Sequence, residues 1–137
     1  MSLGFDNARH LLSRTSFGGD LNTVEAYANH TNAKAAVRAL LKTARTQSFR
    51  PAPRWLNEPP PTRKERRANP KTFRKRSRER ALEIKNGWYT EMITTSAPLT
   101  EQMTLFWHNH FTSSLRKVRF PTLIYRQHAL LRQHALG

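Results

Sequence analysis

At 137 residues the chain is long enough for one core, since a chain of this size removes roughly two thirds of its unfolded surface from water. Its 24 Lys and Arg against 9 Asp and Glu leave a net charge of +15, a field that favours polyanions over basic partners. There is no cysteine, which excludes disulfides and thiolate metal sites, and no run approaches the roughly 18 apolar residues of a membrane span.

The first ten residues lack the basic-then-apolar order of an export signal, so a cytoplasmic protein is expected. Asp6 or Asn7 is placed to cap a first helix running to residue 14, with Ala8, Leu11 and Leu12 inward. Phe17, Gly18 and Gly19 end it in a turn. Asp20 then caps a second helix over 21–29 that buries Leu21, Val24 and Tyr27. Asn32 caps a third over 33–45, where Val37, Leu40 and Leu41 make an apolar stripe. Together they form an N-terminal helical module, residues 1–45.

From residue 46 to 70 periodicity vanishes. Six of the eight prolines lie here, which predicts an extended, proline-rich loop anchored by Trp55 and Leu56. Good helix formers return over 71–95, basic nearly all round at first and apolar later through Leu82, Ile84, Trp88, Tyr89, Met92 and Ile93. This is read as one long basic helix whose N-terminal half projects into water. Pro98 opens the next helix, to residue 112, with Ser96 as its cap. Leu99, Met103, Phe106 and His110 share one side of it, and Leu105, Trp107 and Phe111 widen the apolar surface almost to the full circumference. Such a helix is expected at the centre. After a basic connection over 113–119, Pro121 starts a last helix to residue 136, with Leu123, Leu130 and His134 close to one face. No period-2 alternation or hairpin signal stands out. The expected class is all-α, an irregular multi-helix domain with a proline-rich loop and a long basic helix, residues 71–137 belonging to one domain with 1–45.

Three groups of residues carry candidate chemistry. His108, Asn109 and His110 suggest metal binding, but residues two apart on a helix point roughly 200° from each other, so one ion cannot take both imidazoles. Buried structural histidines and no metal site are expected, and no cofactor is indicated. If the chain has a reaction, His108 or His110 is its acid–base group, oriented by Asn109 and Arg126. Phe106, Trp107 and Phe111 are expected in the core. Arg126 and Arg132 are read as surface cations.

The third group is the basic segment over 63–80. Its Arg63, Lys64, Arg66, Arg67, Lys71, Arg74, Lys75, Arg76, Arg78 and Arg80, against Glu65 and Glu79, sum to +8 of the net +15. A solvated arm and a phosphate-contacting surface are both consistent with it. The second reading predicts nucleic-acid or other polyanion binding that is non-specific and salt-dependent.

Three motifs occur together: Ala8 to Gly18 (ARHLLSRTSFG), then Phe106 to Ser114 (FWHNHFTSS) with Lys117 and Val118, then Tyr125 to Gly137 (YRQHALLRQHALG). In this order they resemble the bacterial domain of unknown function 1800 family. The resemblance covers residues 5–45 and 86–137 and leaves the proline-rich and basic stretch unmatched. It implies a largely helical protein with no established reaction, cofactor or catalytic residue. It also implies a longer chain, of which this is the N-terminal part, so that Leu130, Leu131 and Trp107 would pack on a following portion. A periplasmic or envelope setting is the family's alternative to the cytoplasm. His128 stands where the family more often has asparagine, which argues against an essential imidazole there.

Overall fold

A computed structural model of the chain describes residues 2–46, 50–111 and 118–137. Among these it contains seven α-helices, one short 3-10 turn and no strand, as the patterning predicts. The helices are α1 (Phe5–Thr15), α2 (Leu21–Ala28), α3 (Ala33–Thr46), α4 (Arg63–Ala68), α5 (Pro70–Thr94), α6 (Pro98–His110) and α7 (Pro121–Gln133). The expected connection over 113–119 lies largely outside the described residues.

Local chemistry sets most of these boundaries. The Asp20 carboxylate accepts from the Thr23 N–H at 2.7 Å and the Asn32 side-chain oxygen from the Ala35 N–H at 2.9 Å, so these two predicted caps form. By contrast, α1 starts after Gly4 and α6 after Ala97 with no side-chain cap, so neither Asp6 or Asn7 nor Ser96 caps as expected. Pro70, Pro98 and Pro121 each open a helix, where a missing N–H leaves no bond unmade. α1 and α2 close on Ala8, Leu12 and Val24, with Leu3, Tyr27 and Ala28 against them. The turn between them requires glycine once and leaves little room for a side chain beside it. Gly18 has φ +112°, and a Cβ on Gly19 would stand 3.1 Å from Leu12 Cδ1.

The stretch 46–70 is more structured than its prolines suggest. Arg54–Asn57 form the 3-10 turn, and Thr62 and Glu65 make a reciprocal capping box that nucleates α4. Trp55 is the anchor the sequence suggests. It is buried, donates its indole N–H to Glu83 Oε2 at 2.6 Å, and meets the Tyr125 ring edge-on.

α6 is central in position, since it packs on α1, α3, α5 and α7. Its orientation corrects the apolar reading. The buried residues are Thr100, Glu101 and Thr104, while Phe106 is 52% and Phe111 50% exposed. The inward stripe is therefore turned by about 140° from the Leu99, Met103, Phe106 and His110 stripe. Polar anchoring is the reason. Gln102 donates to the Ser16 carbonyl at 2.6 Å, Thr100 to the Ala44 carbonyl at 3.3 Å, and the Trp107 indole to the Ala135 carbonyl at 3.0 Å. α7 is turned likewise. It buries Pro121, Ile124 and Arg132, with Leu123 and Leu130 outward.

Candidate functional site

Three helical stripes converge where α5, α6 and α7 meet. α5 offers Ile84, Trp88 and Glu91, α6 offers Glu101, Thr104 and His108, and α7 offers Ile124, His128 and Arg132, each set spaced three or four residues apart. The side chains lie in layers. One layer is ionic: Arg132 Nε donates to Glu101 Oε1 at 2.6 Å, and its Nη2 donates to Glu91 Oε1 at 2.9 Å. Arg50 reaches the other Glu91 oxygen at 3.2 Å, and the Trp88 indole N–H reaches the other Glu101 oxygen at 3.1 Å. Glu101 is fully buried, and Glu91 and Arg132 are nearly so.

The adjoining layer sets Trp88 against two imidazoles that touch each other. Its ring centroid lies 4.7 Å from that of His108 and 4.8 Å from that of His128, and His108 Nε2 is 3.1 Å from His128 Nδ1. One of these nitrogens must donate and the other accept, so the contact holds a single proton. Burial lowers the His108 pKa. The His128 pKa is pushed down to about 4 by burial, then by His108 and Arg132. Burial pushes the Glu101 carboxyl up, against the pull of Arg132. The cluster thus keeps two neutral imidazoles beside a charge-matched ionic layer. A groove of about 930 Å³ runs past it, walled by Arg50, Trp88, Glu91, Tyr125, His128 and Arg132.

The sequence candidates are distributed differently. His108 enters this cluster, while Asn109 and His110 are exposed and His110 lies parallel to the Phe106 ring at 6.2 Å. Arg126 belongs elsewhere. The expected constellation of His108, Asn109, His110 and Arg126 is not gathered in one place. Arg132, expected at the surface, is buried because two carboxylates from other helices meet its guanidinium. Glu91, Glu101 and Trp88 join His108 and His128 here although sequence reasoning does not offer them as site residues. Their available signal was two acidic residues set among apolar helix positions in a chain with nine. Among the described residues no group of three or more His, Asp or Glu could hold a metal ion.

A second site forms where α4, the start of α5 and the start of α7 face one another. The helix break at Asn69, with φ −133° and ψ 65°, turns α4 back from α5. The Arg66 guanidinium then lies 5.1 Å from the centre of the Phe120 ring, and Phe73 lies 6.2 Å from the same ring. Arg126 faces this groove of about 790 Å³ with Arg66, Arg76 and Arg80. The rest of the basic segment points outward. Lys71, Arg74, Lys75 and Arg78 are exposed and share one face of α5 by their three-and-four spacing. Arg80 pairs with Glu58 and lies over Trp55.

The sequence model of the family described as "Protein of unknown function (DUF1800)" matches residues 10–137. The chain belongs to that family. The match runs across the proline-rich and basic stretch, from α1 to the residues after α7. No curated protein and no solved structure matches the chain. No helix among the described residues is long and apolar enough to cross a membrane.

Proposed function

We propose that this DUF1800 member binds polyanions, nucleic acid foremost, through the basic segment over 63–80. One observation carries the reading. Lys71, Arg74, Lys75 and Arg78 form an exposed row along one face of α5, and among the described residues Arg80 alone of the ten segment cations holds a carboxylate. A cation without a partner in a folded chain is free to exchange its counterion for a phosphate. The row rises about 10 Å along the helix axis, the span of a few backbone phosphates. It offers point charges and no base-edge readout, so binding through it is sequence-independent.

The test is fluorescence anisotropy of labelled nucleic acid with the full chain at rising salt. For four phosphate contacts, log affinity should fall against log salt with a slope of about −3 to −4. Lys71→Gln, Arg74→Gln, Lys75→Gln and Arg78→Gln combined should abolish binding. An unchanged affinity in that variant, or no binding by the parent chain at about 50 mM salt, would refute the proposal.

A further inference from the structure

The groove between α4, α5 and the start of α7 differs from the row in having aromatic as well as cationic walls. Phe73 and Phe120 form its apolar side, while Arg66, Arg76, Arg80 and Arg126 converge from three helices. Glu58 and Glu65 also face it, but both are engaged. Glu58 pairs with Arg80, and one Glu65 oxygen accepts from the Thr62 N–H at 2.6 Å and from its hydroxyl at 2.9 Å. Four guanidiniums against two carboxylates leave +2 around the groove.

Arg66 supplies the most specific observation. Its Nε–H is buried and has no hydrogen-bond partner among the described residues. A buried guanidinium N–H is costly when unpaired and is normally satisfied. Arg66 is held over Phe120 by its cation–π contact and lines the groove, so its guanidinium is a fixed part of that wall. An anion with oxygens in several directions, placed among Arg66, Arg76 and Arg126, is met by guanidiniums from three helices. About 790 Å³ is room for a nucleotide. A duplex keeps its base faces stacked inside, so only a single strand can present a base to the Phe73 and Phe120 rings.

We propose that this groove is a nucleotide subsite for single-stranded nucleic acid, with one phosphate at Arg66, Arg76 and Arg126 and its base against Phe73 and Phe120. The proposal rests on the polyanion reading of the neighbouring row and adds to it a preference for single strands over duplex.

The experiment measures the full chain against a labelled single strand, the duplex of the same length, and heparin. The parent chain should bind the single strand about tenfold tighter than the duplex, the share one stacked base supplies. Phe73→Leu with Phe120→Leu should remove that preference and leave duplex and heparin binding unchanged. Arg66→Gln with Arg126→Gln should weaken single-strand binding and make its salt slope shallower by about 0.7, the share of one phosphate. Photocrosslinking of an iodouracil-substituted strand to the parent chain needs no variant to fold, and should map to Phe73 or Phe120. Equal affinity for strand and duplex, or crosslinks only at Lys71, Arg74, Lys75 or Arg78, overturns the subsite while the polyanion reading stands. Absence of binding to all three probes overturns both.

Discussion

The two halves of α5 answer the same excess of positive charge in opposite ways. Toward its N-terminus Lys71, Arg74, Lys75 and Arg78 stand in solvent without carboxylate partners. Toward its C-terminus Glu91 lies against a cation, Arg132, that is 8% exposed and touches two carboxylates. A guanidinium can leave water only where acceptors replace its hydration, and its planar fork suits two carboxylates at once. With nine carboxylates for 24 cations, the chain can satisfy few cations in that way. The buried end is therefore a fixed structural junction, and the exposed end carries the cations that the proposed polyanion binding assigns to ligand phosphate.

The largest expected effect comes from breaking the junction. Arg132→Met leaves Glu91 and Glu101 near one another without the guanidinium that joins them, and should destabilise the chain by about 3–5 kcal/mol in urea denaturation. Replacing Glu91, Glu101 and Arg132 together by apolar residues of similar volume should recover most of that loss. A triple variant as unstable as Arg132→Met would show that the ionic layer stabilises in its own right, rather than merely being costly to break.

Acid tests the adjoining layer. The folded His128 pKa of about 4 lies below its ordinary value of 6.5, so the unfolded chain takes up a proton first as pH falls. The contribution of neutral His128 is complete above pH 6.5 and is lost as pH falls toward 4. The amount is about 3 kcal/mol. Glu101, pushed up by burial, gives the opposite slope in overlapping conditions, so the quantity to measure is parent minus His128→Gln. A difference that does not change with pH would mean that the imidazole pair is already wet. Trp88 fluorescence should change over the same range, because its ring lies against both histidines.

A smaller effect is expected where α4 begins. Thr62→Ala removes the acceptor of the Glu65 N–H and the hydroxyl donor to its carboxylate while keeping the Thr62 backbone donor, at a cost of about 1 kcal/mol. Because α4 carries Arg66 to the groove, single-strand binding should fall with it. Full stability together with unaltered binding would detach the cap from the subsite.

Legibility followed the range of the interactions. Caps at Asp20 and Asn32 and the prolines at Pro70, Pro98 and Pro121 act within one turn of chain, and the sequence pattern places the helices they start. The capping box at Thr62 and Glu65 was equally local, a Thr-x-x-Glu signal masked by the prolines before it. The inward faces of α6 and α7 were not legible. Their orientation depends on Arg132 meeting Glu101 and Glu91 across 31 and 41 residues of chain, and apolar periodicity counts such polar residues as outward. Arg126 and Arg132 are six apart on one helix and look alike in sequence, yet one faces the cationic groove and the other closes the junction. Only their partners distinguish them.

The smallest expected change in stability belongs to the exposed row, and its sign is informative. Lys71 and Arg74, Lys71 and Lys75, Arg74 and Arg78, and Lys75 and Arg78 are like-charged pairs at helical spacings of three or four. Each such pair destabilises a helix by about 0.2–0.5 kcal/mol at low salt, and Lys75 with Glu79 offsets part of this. The four-glutamine variant should therefore be slightly more stable than the parent, by several tenths of a kcal/mol, and the gain should shrink as salt screens the repulsion. A loss of stability instead would mean that these side chains hold the fold, through contacts of their stems or of their charges. A gain in stability accompanied by lost nucleic-acid binding would separate the two ends of α5, because charges that burden the helix and bind phosphate belong to a ligand surface.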